Sequence, residues 1–188
     1  LALPALGTLA AEPLYRLVDT AVVGRLGTDQ LGGLAIAISV LSLVIASSNF
    51  ITYGTTERVA RRLGAGNPAD AANVGVQALW LAGTVGVLAV PLLIGFAHPV
   101  TAALGADGEV AVFAVDYLRI AALSVPFVVV SLAVQGVQRG SSDYRTPLVI
   151  LVGSNIVNVV VELVLVFGFD MGIAGAAWST VVAQIGAG

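Results

Sequence analysis

The chain has 188 residues, of which 58% are hydrophobic and 10% charged, with a net charge of -3 and no cysteine, where an average soluble domain carries about 25% charged residues. That composition excludes an ordinary soluble fold, disulfide frameworks, thiolate metal sites and cysteine nucleophiles. The basic residues make no broad face of the kind that binds nucleic acid. Mean hydropathy is +1.00, and a membrane crossing takes roughly 20 helical residues, so the chain holds material for about six crossings and no separate soluble domain.

The first predicted span covers residues 1–23. It has no basic amino-terminal region and no clear cleavage site, which argues against a signal peptide. Glu12, Arg16 and Asp19 interrupt it at spacings of four and three, so they share one helical face. One reading is a structural ion network. The other is that two acids outnumber one base, leaving a carboxylate for a proton or a cation. A loop over 24–30 leads to a span over 31–56 that carries no formal charge. Its second half holds Ser47, Ser48, Asn49, Thr52, Tyr53, Thr55 and Thr56, read as backbone bonding at the interface or as the lining of a substrate path.

The third span, 71–97, contains Pro91, which is expected to kink it. His98 opens the next loop as an interface residue with no second ligand nearby. The fourth span, 110–134, carries Asp116 and Arg119 near its outer end, where arginine can snorkel. In the fifth, 147–169, Asn155, Asn158 and Glu162 follow an i, i+3, i+7 pattern and line a single face. Amide and carboxylate oxygens in hydrocarbon suit a hard cation or a proton relay. The alternative is interhelical hydrogen bonding around an uncharged Glu162. The sixth span, 171–188, opens on Gly172, Gly175, Ala176 and Ala177, a packing seam. The chain starts without methionine and stops inside an apolar run, so it is expected to be a piece of a longer protein.

Arginines concentrate in cytoplasmic loops. Arg58, Arg61 and Arg62 fall in the loop over 57–70, and Arg139 and Arg145 in the loop over 136–146, two loops on the same side of a helical bundle. This predicts a cytoplasmic amino terminus. No HExxH, GxSxG or GxxxxGK[ST] is present, so zinc proteolysis, serine hydrolysis and nucleotide hydrolysis lack their parts and no enzyme is expected.

Four segments resemble the amino-terminal half of multidrug and toxic compound extrusion (MATE) transporters, in their DinF-like branch. These are AEPLYRLVDTAVVGRLGTDQLGGLA (residues 11–35), VARRLGAGNPADA (59–71), QGVQRGSSDYRTPL (135–148) and NIVNVVVELVLVFGFDMGIAGAAWSTVVAQ (155–184). The resemblance implies an all-α polytopic membrane protein: the six-helix amino-terminal lobe of a twelve-helix, two-lobe transporter, with its sixth helix cut short and the carboxy-terminal lobe outside the chain. It implies secondary active efflux of organic cations or amphiphilic drug-like compounds, driven by inward movement of protons or sodium ions, in the cell (plasma or inner) membrane. Membrane lipids and the carboxy-terminal lobe are the implied partners, with no cofactor beyond the coupling ion.

The family's cation site, carried over position by position, falls on Asp19, Asn158, Glu162 and Thr180, with Glu12, Arg16 and Asn155 beside it. Glu162 stands where Asp is usual, Leu163 where Pro is usual, and Arg16 lies within a turn of Asp19. These departures favour protons over sodium. A lipid-linked oligosaccharide flippase of the same superfamily is the alternative. It needs a cationic groove, whereas these spans are richer in acids than bases.

Overall fold

The computed structural model describes residues 17–187, which form helices and short turns without strands. Glu12 and Arg16 lie outside the described residues. Helix α1 covers residues 17–24 as described, and a turn at 25–27 leads into α2 (Thr28–Gly64). Helix α3 (Pro68–Gly95) is followed by short α4 (Ala97–Ala103), then α5 (Gly108–Ala121) and α6 (Val125–Gly140), joined by a 3-10 turn over Ala122–Ser124. Helix α7 (Arg145–Leu163) ends in a π turn (Val164–Gly168), and α8 (Gly172–Ala187) returns beside it.

Helices replace much of what the composition read as loop. Helix α2 continues through Glu57 and all three nearby arginines to Gly64, so the loop over 57–70 shrinks to residues 65–67. Ionised side chains at a membrane surface do not stop a helix; they extend it into water. Asn67 then caps α3 by accepting the Asp70 N–H, with Pro68 at the first helical position. The loop after the third span contains α4, on which His98 lies exposed. Helix α3 runs on across Pro91. The fourth span instead tightens just before Pro126, which has no N–H to return to the Ala122 carbonyl.

Helix α2 and the α5–α6 span run parallel in one constant register. Thr52 donates to the Leu132 carbonyl at 2.9 Å and Thr56 to that of Gly136 at 3.1 Å, each pair 80 residues apart. Further along, a Cβ on Gly33 would meet Phe113, and one on Gly140 would meet Val59. The hydroxyls of span two thus serve packing: Ser47, Ser48 and Thr56 bond the carbonyl four residues back, and Thr52 and Thr56 staple α6. Helix α3 packs antiparallel on α6, Gly75 against Val137 and Gly86 against Pro126.

Helices α7 and α8 form an antiparallel pair around Gly175, whose missing side chain admits the Leu165–Val166 backbone of the π turn at about 3 Å. Asp170, in the turn between them, adopts φ 55, a left-handed conformation that Asp tolerates better than most residues. One apolar cluster gathers Val23, Leu34, Ala37, Leu118, Ala121, Val166 and Ala176. Another holds Ile51, Ala78, Ala82, Val125, Val129 and Ala133.

Candidate functional site

On α7 the side chains at positions 158 and 162 turn inward, Asn158 2% and Glu162 0% exposed, while Ile156, Val157, Val160 and Leu163 face outward. A spacing of four stacks the two polar groups on one face. Across from them, α8 presents its small-residue face, Gly175, Ala176, Ser179 and Ala183, all buried. Small side chains let the helices approach closely enough for polar groups to meet. Asn158 Nδ2 reaches Ser179 Oγ at 3.4 Å, and Ser179 Oγ donates to the Ala176 carbonyl at 2.7 Å. Thr180 Oγ1 donates to the same carbonyl at 3.2 Å and lies 3.4 Å from the Tyr117 hydroxyl on α5.

Asp19 arrives from α1, 2% exposed, and its carboxyl is the ionisable neighbour that acts on Glu162. Three oxygens here are buried without a hydrogen-bond partner among the described residues: Asn158 Oδ1, Glu162 Oε1 and Glu162 Oε2. An unsatisfied polar group in an apolar interior costs several kcal/mol, so a cluster of them calls for something from outside. A proton on a carboxyl or a hard cation bound through oxygens meets that need. The oxygens of this set fit either a proton or a sodium ion.

A cavity of about 520 Å³ opens beside this cluster. Asp19, Tyr117 and Thr180 line it, while Glu162 and Asn158 do not. Asn155, half-buried, lies on the cavity wall. Ser124, Ser131 and Ser154 also line it, and each hydroxyl donates to a carbonyl three residues back. The far end is built from Gln135, Gln138, Arg139 and Tyr144.

Four positions singled out in the sequence, Asp19, Asn158, Glu162 and Thr180, thus fall in one neighbourhood. Asp116 and Arg119 lie on the exposed side of α5, away from it. Sequence reasoning missed Tyr117 and Ser179. Tyr117 was overshadowed by its charged neighbours, and the turn-by-turn repeat Gly175, Ser179, Ala183 is the signal that would have placed Ser179 on the inner face. Among the described residues no group of His, Cys, Asp and Glu could hold a metal ion through three such ligands.

The MatE family model matches residues 4–164. Protein DETOXIFICATION 44, chloroplastic, of Arabidopsis thaliana is 35% identical over 98% of this chain and 38% of its own length. DNA damage-inducible protein F of Escherichia coli (strain K12) is likewise 35% identical, over 98% of this chain and 40% of its own length. The chain superposes with a TM-score of 0.92, at 26% identity, on a solved outward-facing conformation of a multidrug resistance MATE family transporter of the MOP superfamily, covering 98% of this chain and 41% of that one. The chain therefore spans about 40% of the length of the curated relatives it matches.

Proposed function

The chain belongs to the MatE family of membrane transporters, and from that premise we propose that it is the amino-terminal lobe of a secondary active exporter. In this reading the protein sits in the cell membrane with its amino terminus in the cytoplasm and pairs with a carboxy-terminal lobe. It moves organic cations or other amphiphilic compounds outward in exchange for protons or sodium ions. One observation carries the proposal: Asp19 and Glu162, from α1 and α7, meet in the protein interior beside a cavity that Asp19 lines.

The mechanism follows from what each residue reaches. Asp19 takes the incoming ion at the cavity wall, and Glu162 with Asn158 shares it from the buried side. Thr180, beside Tyr117, adds an oxygen from α8. Loading the ion changes the charge held between α1 and α7, and with it the packing of α1 that shapes the cavity. Only an ion that binds the two conformations unequally can shift them, and these carboxyls at the junction of two helices supply that inequality. A flippase for pyrophosphate-linked lipids would need several cations along the cavity. Among its described lining residues Arg139 is the one cation, which disfavours that reading.

The test is ethidium efflux from cells producing the full-length protein, with proton and sodium gradients imposed separately. Asp19→Asn and Glu162→Gln are each expected to abolish gradient-driven efflux while reaching the membrane at wild-type levels. The gradient that drives the wild type names the ion. Wild-type efflux that ignores both gradients, or survives both substitutions, would sink the proposal.

A further inference from the structure

An asparagine side chain carries an acceptor oxygen and a donor NH2 group on opposite sides of one amide, so its orientation decides whether it attracts a cation or repels it. The ionised carboxyls beside Asn158 have no such ambiguity, because both of their oxygens accept. Asn158 is 2% exposed, and its Nδ2 meets Ser179 Oγ of α8 at 3.4 Å.

Ser179 acts as the acceptor in that contact. It is fully buried, and its hydroxyl proton goes to the Ala176 carbonyl at 2.7 Å. A serine hydroxyl has one proton, so only lone pairs remain for Asn158. The contact is long, but its sign follows from this: an amide turned over would set Oδ1 against Ser179 Oγ, acceptor against acceptor. The same Ala176 carbonyl also accepts from Thr180 Oγ1 at 3.2 Å, so one peptide group holds both hydroxyls of α8. With Nδ2 drawn to α8, Oδ1 lies on the other side of the amide. It is buried without a hydrogen-bond partner among the described residues, as are both oxygens of Glu162 one turn along the same face of α7.

We propose that Ser179 is a positioning residue for ion coupling, which fixes the Asn158 amide with its oxygen toward the carboxyls and thereby favours the ion-loaded state. Toward a sodium ion that oxygen is a ligand, and toward a protonated carboxyl it is an acceptor. An amide turned over would instead donate to the ionised carboxyls and stabilise the empty state. The inference rests on the export reading for its transport consequence, and on the surroundings of the amide for its binding consequence.

Ser179→Ala removes the hydroxyl, suits a helix and frees the amide to turn. Two measurements on the full-length protein read the effect. One is the melting temperature in detergent as sodium chloride replaces potassium chloride at fixed pH, or as pH is lowered without sodium. The other is ethidium efflux from proteoliposomes over the same series. In Ser179→Ala the ion concentration at half-effect is expected to rise about 10-fold in both, the scale of one hydrogen bond to a charged group, with the maximal efflux rate kept. Ala183→Gly is the control: it opens the same buried face of α8 one turn further on and leaves the amide untouched, so its half-effect concentrations are expected to match the wild type. If the half-effect concentration stays put in Ser179→Ala, or moves as far in Ala183→Gly, the positioning role is overturned, and coupled wild-type efflux still keeps the export reading. If wild-type efflux ignores both gradients while the melting response shifts in Ser179→Ala alone, the positioning role stands and the export reading falls. A wild type with no ion response in either measurement overturns both.

Discussion

Asp143 illustrates how a single side chain fixes where a span begins. Hydrogen bonds from the Thr146 side chain and backbone, and then the Arg145 N–H, hold its carboxyl below the ordinary value of 3.8. A carboxyl so depressed stabilises the fold at pH values above 3.8, and that contribution is lost as pH falls through its lower folded value. Asp143→Ala is therefore expected to melt below the wild type at pH 7, with the gap narrowing only under pH 3.8. Thermal unfolding of the detergent-solubilised full-length protein across pH reads this out; a gap that closes near neutrality would refute it. Glu162 shows the opposite use of a carboxyl. It is fully buried, with its oxygens left without hydrogen bonds among the described residues, an arrangement that costs stability.

Between elements, the decisive feature is the seam between α2 and α6. A Cβ on Gly136 would lie 2.8 Å from the Thr55 Cβ and 2.9 Å from the Thr52 carbonyl oxygen, backbone that cannot step aside. Gly136→Ala must push the helices apart and stretch the Thr52 and Thr56 hydrogen bonds to α6. The expected loss is about 1–3 kcal/mol, seen as a lower melting temperature. Gly64→Ala, at a helix end with nothing within 4 Å of the added carbon, is expected to be neutral or slightly stabilising. Equal melting temperatures for the two variants would show that the seam tolerates a methyl. The polar run of span two could be read as seam or as substrate path because hydroxyl spacing is the same in both; only the partner helix, known from the fold, decides between them.

Across the whole molecule, Arg58, Arg61 and Arg62 close α2, Arg139 ends α6 and Arg145 starts α7. Helix alternation puts those ends together, and Arg25, Asp29, Asp107, Glu109 and Asp170 at the other. These 188 residues hold no cysteine, so single ones introduced here report alone once any elsewhere in the full-length protein are replaced by serine. In intact cells producing the full-length protein, Asp29→Cys and Asp170→Cys are expected to react with a membrane-impermeant maleimide, whereas Arg58→Cys and Arg145→Cys should react only after permeabilisation. The reverse pattern would invert the orientation and place the Arg139 end of the cavity outside.

Four of the six expected spans, which match the four described helices long and apolar enough to cross a membrane, and the arginine asymmetry were legible in the sequence because hydropathy and charge act on each segment against the bilayer, whatever its neighbours. The Asn158 and Glu162 face was legible for the same reason: helical periodicity is local. Their meeting with Asp19 entered only by resemblance to a family, since 143 residues separate positions 19 and 162 and no local rule spans that distance. Tyr117, Ser179, the α2–α6 register and the set of side chains that line the cavity belong to the tertiary structure. Each depends on which helix face meets which, and that is settled by close packing of glycines and small side chains across helices, not by the hydropathy of any one of them.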